Sequence, residues 1–388
     1  MRHRKADARS SSLKSGSSWG AEEVRFIARG LVCLFLLVAG AASLLAAEAH
    51  TYHCATSADV HAALEQAGPG DTILLDGGSV YEIEDSLKLQ SSGTPGSRIR
   101  FTSHDASGKN RFAVITTKNG RKEPDMVAIV VSGAYWDVSR IEIAGARIPL
   151  DEGYWDTNGF RLGIFLVGSS SHHNVVEDVH IHDTHNAAVA VRNGSHDNIF
   201  RRTRIHHIGE WLDEDYNAHE AEGFYLGSSK GIAEAGNRAR IHDILIEDSV
   251  IGPGLLGQYV DIKYGASSVT VRNNMFYCDE RSYNEEVVKL AGFANVIESN
   301  QFVGSSENLT RYVHVFSMRT VDPVRVDYLE QEDIPAPTGR NNTIINNVFY
   351  TDDPDIAAVR NDLVGEIRAS LVVEGNRVLP LNETTSTD

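Results

Sequence analysis

Residues 269–302 read VTVRNNMFYCDERSYNEEVVKLAGFANVIESNQF, and this stretch contains the same phrase twice. The two copies are VTVRNNMF (269–276) and NVIESNQF (295–302), and each one closes on a phenylalanine. Self-similarity at a fixed period decides the architecture of a chain before any single motif does. Related phrases occur at NVVEDVHI (174–181), NIFRRTRI (198–205), ILIEDSVI (244–251), NTIINNVF (342–349) and LVVEGNRV (371–378), and a shorter copy, DVSRIEI, ends at Ile143.

The spacing of the copies predicts a coil of stacked strands. Neighbouring closing residues lie 24 to 29 residues apart in the compact repeats and 38, 46 or 47 apart in three others. Each long repeat holds only one further apolar strand, so its extra residues are insertions. Compact repeats rich in Val, Ile and Phe, punctuated by Gly, Ser and Asn, favour an all-β, right-handed parallel β-helix over a leucine-rich solenoid or a propeller. The predicted insertions are 145–162, 206–222, 229–241 and 318–340.

The domain organisation follows from the ends of the repeat. We expect a leader over 1–49, one β-helix domain over 50–378 and a polar tail over 379–388. The apolar run 31–47 follows two arginines and ends near a small-residue site, which is typical of a signal peptide and predicts a secreted protein. An uncleaved signal anchor is the alternative. Residues 56–78 predict a capping helix followed by a strand.

Composition excludes some partners. The net charge of −17 argues against nucleic-acid binding by bulk electrostatics, and an acidic ligand would need a local basic patch. Cys54 and Cys278 fall in repeats too far apart to bridge, so no disulfide is predicted. We expect a monomer. The sequence shows no nucleophile elbow, P-loop, zinc-protease or dinucleotide motif and no paired aspartates of a β-helix hydrolase.

Asparagines recur in one slot of the repeat. Asn174, Asn198, Asn295 and Asn342 each lie seven residues before a closing residue. Because asparagine tolerates turn backbone and bonds to its own copy one repeat away, a structural ladder is predicted rather than a catalytic group.

Counting from the closing residues also places a basic column on the outer face. Gly168, Arg192, Lys263 and Lys289 each lie thirteen residues before a closing residue, with Gly227 between Arg192 and Lys263. Lys263 and Lys289 would then be about 5 Å apart on adjacent strands. Two ammonium groups so close predict a lowered pKa for one of them, which suits a general base. The neighbouring column, two residues earlier, is predicted to hold Leu166, Ala190, Tyr225, Asp261 and Val287.

Two further segments carry polar side chains. The acidic loop 210–222 precedes Tyr225, and we take Glu222 and His219 from it as candidate substrate contacts. Its carboxylates are possible Ca²⁺ ligands, although the spacing does not support a calcium site. His182 and His206 each follow a closing residue and are predicted to stack, but no further ligand with suitable spacing is visible. No metal site is predicted, and Ca²⁺ is kept only as a weak possibility.

The chain resembles the pectin-lyase-like superfamily of right-handed parallel β-helix proteins. The residues that carry this resemblance are HAALEQAGPGDTILL (61–75), SSGTPGSRIRF (91–101) and the stretch 222–304, which looks most similar to secreted β-helix repeat proteins without settled function. Among characterised enzymes, family 6 polysaccharide lyases (chondroitinase B and alginate lyases) are similar in one respect. That similarity implies that Lys263 matches their catalytic lysine and that Lys289 falls near their arginine. Gln258 and Leu256 stand where their calcium-binding acids would be, so calcium is not implied.

These observations predict a polysaccharide-active protein, with β-elimination of an acidic polysaccharide as the favoured reaction. Lys263 is expected to take the C5 proton, Lys289 to hold the uronate carboxylate and Tyr225 to protonate the leaving oxygen. Arg192, Asp261, Glu222 and His219 are expected to contact substrate. A C5 epimerase and a non-catalytic carbohydrate-binding or cell-surface protein remain alternatives, and hydrolysis ranks below them.

Overall fold

The computed structural model describes residues 48–117, 126–149, 155–209, 221–227, 240–280, 282, 284–317 and 339–384. The chain divides into two units, 1–48 and 49–388. Because the described residues begin at Glu48, the predicted leader lies outside them, apart from Glu48 and Ala49. The second unit contains all of the secondary structure reported below.

Three parallel sheets, here called A, B and C, run through the second unit, with 12, 10 and 9 strands among the described residues. Sheet A comprises Thr51–Cys54, Thr72–Asp76, Ile99–His104, Trp136–Ser139, Val175–Glu177, His196–Arg201, Ile241–Glu247, Ala266–Ser267, Thr270–Arg272, Val296–Glu298, Thr343–Ile345 and Val372–Glu374. Sheet B comprises Val80–Ile83, Ala113–Thr117, Ile141–Ala144, His180–His182, Arg204–His206, Val250–Ile251, Met275–Tyr277, Gln301–Val303, Val348–Tyr350 and Arg377–Leu379. Sheet C comprises Leu87–Leu89, Val127–Val131, Leu162–Val167, Ala187–Arg192, Glu222–Leu226, Val260–Ile262, Glu286–Leu290, Arg311–Val315 and Ala357–Asn361.

The closing residues of the repeated phrase stack in register, as predicted. Ile181 pairs with Ile205, Phe276 with Phe302 and Phe302 with Phe349 in sheet B. The two phenylalanine pairs stack with ring centroids 4.8 Å apart. These rings are fully buried and form part of one continuous core. The β-helix fold class is therefore confirmed.

Each repeated phrase forms two strands rather than one. A rung therefore contains three strands, whereas the sequence predicted two. A residue in the left-handed region separates a sheet A strand from a sheet B strand, as Asp178 does at φ 51°. The same bend occurs at Arg140, Arg202, Asp248, Asn273, Ser299 and Asn346. A single residue at positive φ turns the chain sharply enough to start a new sheet, which a hydrophobicity pattern alone does not reveal.

The asparagine ladder is present, and a second one accompanies it. In the first, the Asn198 side chain accepts from the backbone N–H of Asn174, and Asn342 accepts from that of Asn295, each at 2.9 Å. The second ladder passes from Ser249 through four asparagines, and each amide oxygen accepts a backbone N–H from the preceding repeat at 2.9–3.0 Å. Its members are Asn274, Asn300, Asn347 and Asn376.

The predicted N-terminal helix spans Ser57–Gln66 and begins with a capping box between Thr56 and Asp59. Its buried face, Val60, Ala63 and Leu64, belongs to the main core, and the helix contacts the first strand of each sheet. A second, short helix spans Gly365–Ala369, and a 3₁₀ turn spans Leu381–Glu383.

Part of the first insertion forms an antiparallel hairpin, Ala146–Pro149 with Trp155–Asn158. Most of the other three insertions lies outside the described residues. Cys54 and Cys278 are both buried free thiols, as predicted. No helix in the described part of the chain is long and apolar enough to cross a membrane.

Removing one rung of the second asparagine ladder should destabilise the fold. Asn300→Ala would delete an acceptor for Asn274 and donors to Val271 and Asn347, all buried. Because unsatisfied buried groups remain, we expect a loss of about 3 kcal/mol in the free energy of unfolding, measured by urea denaturation. Asn346→Gly is the matched control, since it replaces an exposed residue at φ 57°. If the two variants had the same free energy of unfolding, the ladder would not stabilise the fold and the prediction would be wrong.

Candidate functional site

A local irregularity in sheet C brings extra side chains to its outer face. In its central strands two consecutive residues point into the core, as Tyr259 and Val260 do, and as Tyr312 and Val313 do. The residues on either side of such a pair therefore both point outward, three positions apart. Leu162, Ala187, Ala190 and Tyr225 form a separate cluster on that outer side. The outer face consequently carries three columns of side chains.

The columns follow directly from strand register. The first holds Glu222, Gln258, Glu286 and Arg311. The second holds Phe165, Ala190, Tyr225, Asp261, Lys289, His314 and Arg360. The third continues the ladder through the hydrogen bonds that follow the strands and holds Arg192, Gly227, Lys263, Ala291, Phe316 and Asp362.

Lys263 and Lys289 do not share a slot, which corrects the sequence prediction. Lys289 pairs with Asp261, and Ala291 takes the position beside Lys263. The reason is a turn of variable length. Residues 263–266 separate Ile262 from Ser267, whereas only residues 291–292 separate the matching positions Leu290 and Phe293.

Other members of the predicted columns are partly right. Arg192, Gly227 and Lys263 share a column as expected, and so do Ala190, Tyr225 and Asp261. Phe165 and Lys289 occupy the places predicted for Leu166 and Val287, which point into the core. Gly168 is displaced by one position from the predicted column, because Val167 pairs with Arg192. Counting backward from the closing residue fails wherever the intervening turn changes length.

Tyr225 lies at the centre of a compact cluster. The Arg192 guanidinium carbon is 4.2 Å from the centre of its ring, and the Lys263 ammonium nitrogen is 4.6 Å from it. Lys263 also forms an ion pair with Oδ2 of Asp261. Tyr225 and Asp261 are almost completely buried, and the Lys263 side chain is 13% exposed. Two cations and a carboxylate thus surround one phenol.

The lysine of this cluster is held in its charged form. Burial opposes the ammonium, but the negative charge of Asp261, with smaller contributions from Tyr225 and Glu222, outweighs it and raises the pKa of Lys263 to about 12. The lowered pKa predicted from a neighbouring lysine is therefore wrong, because the residue beside Lys263 is not Lys289. Oδ1 of Asp261 is buried and makes no hydrogen bond within the described part of the chain.

A second polar cluster centres on Glu286, one strand beyond Asp261. Its carboxylate accepts from Arg311 at 2.7 Å and from Gln258 at 3.1 Å, and it lies 3.8 Å from the Lys289 ammonium nitrogen. Burial opposes ionisation, but His314, Lys289 and Arg311 together lower the pKa of Glu286 to about 2. The carboxylate is therefore charged over the whole neutral range and lies beside the Lys289 ammonium group on the outer face.

His314 belongs to this second cluster and was missed from the sequence. Its Nε2 lies 2.9 Å from Oδ2 of Asp362, and its Nδ1 lies 3.6 Å from Oε2 of Glu286. In the sequence, residues 312–317 (YVHVFS) show only an apolar strand pattern, and no motif marks the histidine. Asp362 comes from the loop after the next strand, a pairing that only the stacked rungs create. Aligning this strand with the preceding one places His314 beside Lys289 on the outer face, and this alignment is the signal that could have identified it.

The remaining predicted residues have distinct outcomes. Glu222 lies on the first column and is 4% exposed. Lys289 lies one strand from Asp261, with its side chain 31% exposed. His219 and most of the acidic loop lie outside the described residues. The structure therefore brings Arg192, Tyr225, Asp261 and Lys263 together and sets Lys289 beside them.

The fold has clear relatives among solved structures. The chain is similar to an alginate lyase from Paenibacillus sp. str. FPU-7, with a TM-score of 0.65 and 25% identity over 85% of this chain and 95% of that one. A rhamnogalacturonan lyase gives a TM-score of 0.50 at 14% identity, over 84% of this chain and 87% of that one. A family 6 polysaccharide lyase from Pseudopedobacter saltans gives 0.46 at 13% identity, over 87% and 94%. No family model and no curated protein matches the chain.

The similarity to the alginate lyase supports the parallel β-helix architecture. The resemblance to the pectin-lyase-like right-handed parallel β-helix superfamily is confirmed at the level of the fold. The roles of individual residues rest on the geometry of sheet C.

The buried pair of Lys263 and Asp261 should show in the stability of the protein. Lys263→Met leaves an unpaired buried carboxylate, and we expect it to lower the free energy of unfolding by about 3–5 kcal/mol. The double variant Lys263→Met, Asp261→Leu should recover most of that loss. Urea denaturation at neutral pH measures both.

The pH dependence of the same pair has a definite sign. The pKa of Lys263 is raised from 10.5 to about 12 in the folded protein, so the pair stabilises the fold fully below pH 10.5. That contribution is lost as the pH rises from 10.5 toward 12. The stability difference between the wild type and the double variant should change in this window, and a constant difference would contradict the assignment.

Proposed function

We propose that this protein is a secreted lyase that cleaves an acidic, uronate-containing polysaccharide by β-elimination. The observation that carries the proposal is the Tyr225 ring flanked by the cations of Arg192 and Lys263 on the outer face of sheet C. The similarity to an alginate lyase, which spans 95% of that chain, supports the same reaction class. The leader predicted over residues 1–49 is in keeping with export to a polymer outside the cell.

β-Elimination makes three demands on a site. The uronate carboxylate must be neutralised, so that the C5–H bond can release its proton and its electrons can form the C4–C5 double bond. The C4–O bond then breaks, and the leaving oxygen takes up a proton. Groups that stabilise charge developing in this transition state accelerate the reaction most.

Lys263 is better suited to neutralise the uronate carboxylate than to act as the base. An amine with a pKa of about 12 keeps its proton at neutral pH, whereas an effective base needs a pKa near the working pH. Its ammonium group is instead a fixed positive charge that can pair with a uronate carboxylate. We therefore propose that Lys263 neutralises the carboxylate, in place of the base role expected from the sequence.

Tyr225 is the proposed proton-transfer residue. The two cations over its ring stabilise negative charge that develops on the phenolic oxygen while a proton moves to or from substrate. In the proposed step the ionised phenolate takes the C5 proton, and the phenol so formed gives that proton to the leaving oxygen, which balances the reaction. His219 remains a proposed second acid or base, although it lies outside the described residues.

The remaining candidates are proposed to hold neighbouring sugars. Arg192 lies one strand before Tyr225, and Lys289 lies one strand after Asp261, so an acidic chain crossing the strands would meet a succession of cations. Asp261 and Glu222, on the second and first columns, are the carboxylates proposed to contact sugar hydroxyls. The protein as a whole is acidic, so this local set supplies the attraction that net charge cannot.

Incubation with alginate, pectate, glucuronan and glycosaminoglycans tests the reaction class through the ultraviolet absorbance of unsaturated uronates. We expect one of these polymers to give a rise in absorbance. No rise on any of them would overturn the lyase proposal. Exchange of the C5 proton without cleavage would indicate an epimerase, and binding without turnover would indicate a carbohydrate-binding protein.

Two substitutions separate the proposed roles. Tyr225→Phe removes only the hydroxyl, and we expect kcat to fall by about 10²–10⁴-fold. Lys263→Arg keeps the positive charge but cannot release a proton, so it should retain more activity than Lys263→Ala. Equal loss in the arginine and alanine variants would favour Lys263 as the base. Arg204→Gln, on sheet B, is the matched control and should leave kcat unchanged.

A further inference from the structure

A group of histidines lies on the outer face of sheet B, away from the residues discussed above. His180 and His182 flank the buried closing residue Ile181 and therefore both point outward. His180 pairs with Glu142 on the preceding strand, and His182 pairs with His206 on the following one. Three successive strands thus contribute four potential metal ligands to one patch.

The ligand atoms of these side chains converge. The Nε2 atoms of His180 and His206 are 2.6 Å apart, and Nε2 of His182 is 3.2 Å from Oε1 of Glu142. Glu142, His180 and His182 offer ligand atoms that all lie within 4.8 Å of one another, the one such group of three among the described residues. Tetrahedral zinc with bonds of 2.0–2.1 Å separates its ligand atoms by roughly 3.3 Å. His206 is not one of those three, and it adjoins them through the contact of its Nε2 with that of His180.

The histidines also have the support that metal ligands usually have. Nδ1 of His182 lies 2.6 Å from Oδ2 of Asp183, so its Nε2 can be presented to an ion while the carboxylate orients the ring. Nδ1 of His206 lies 2.6 Å from Nδ1 of His207, which leaves Nε2 of His206 toward the cluster. A carboxylate behind a ligating histidine is a common feature of zinc sites.

Protonation in the metal-free protein differs between the rings. Burial and the neighbouring histidines lower the pKa of His180 to about 4 and that of His206 to about 3. Burial opposes the charged form of His182 as well, but Asp183 and Glu142 outweigh it and raise its pKa to about 9.

We propose that Glu142, His180, His182 and His206 bind one zinc ion that joins three successive strands of sheet B. Three imidazole nitrogens and one carboxylate oxygen complete a tetrahedral set, and a closed set of four protein ligands is typical of a structural rather than a catalytic zinc. The sequence pattern places only His182 and His206 together, and two histidines alone predict no metal site. Strand register adds His180 and Glu142 to them.

A second histidine stack in the same protein shows what distinguishes this patch. His172, His196 and His242 also stack, with ring centroids 5.0 and 4.8 Å apart. In that stack His196 and His242 each direct Nδ1 to the aspartate that follows it in sequence. Stacking between strands is therefore common to both groups, whereas opposed Nε2 atoms and a carboxylate from a neighbouring strand belong to the sheet B patch.

Zinc titration of the full-length protein, after treatment with a chelator, tests the proposal. We expect one zinc per chain by calorimetry and by metal analysis after dialysis, and a zinc-dependent rise in Tm. His182→Ala and His180→Ala should each weaken zinc binding at least tenfold and abolish the rise in Tm. Glu142→Gln should weaken binding less, because it retains the three histidines. Circular dichroism confirms that each variant is folded.

His242→Ala is the matched control, because it removes a stacked histidine from the other group. It should leave zinc affinity and the zinc-dependent rise in Tm unchanged. The absence of stoichiometric zinc binding by the wild type would overturn the proposal. So would binding that persists in His182→Ala or disappears in His242→Ala. None of these readouts depends on polysaccharide cleavage, so the outcome is independent of the proposed lyase activity.

Discussion

The in-register parallel pairing of successive rungs is the constraint on which the rest of the structure depends. Backbone N–H and C=O groups in the central strands bond to the rungs on either side, and the core can close only if apolar residues meet their own copies. Phe276, Phe302 and Phe349 stack for that reason. The asparagine ladders extend the same pairing through the bends, where backbone groups would otherwise be buried without partners.

Stacking also creates the chemistry of the outer faces. A residue that points outward lies about 4.8 Å from its counterparts on the neighbouring rungs, whatever their separation in sequence. Asp261 therefore meets Lys289 and Tyr225, and Asp362 reaches His314 from 48 residues away. In the central strands of sheet C two consecutive residues point into the core, so one more residue points outward than in a regular strand. The acidic and basic groups of sheet C and the histidines of sheet B are two products of the same geometry.

The two faces are electrostatically different. On sheet C, buried carboxylates lie beside cationic side chains, as Asp261 does beside Lys263 and Glu286 does beside Lys289. Fixed charges of this kind suit recognition of an acidic polymer in a protein whose net charge is −17. On sheet B the groups that meet are mainly imidazoles, which are the proposed metal ligands. The proposed polysaccharide site and the proposed zinc site therefore use different sheets and different chemistry.

The sequence by itself determined the β-helix, its closing residues, the first asparagine ladder and the column of Arg192, Gly227 and Lys263, because these depend on a short repeat with constant internal spacing. It did not determine the second ladder, the position of Lys289, the contribution of His314 or the pairing of Glu142 with His180. Each of these depends on the length of a turn or on a bend at a single residue, and a change of two residues moves a side chain to another column. The charge state of Lys263 was likewise decided by the tertiary structure, because the register places the carboxylate of Asp261, and not a second ammonium group, against it.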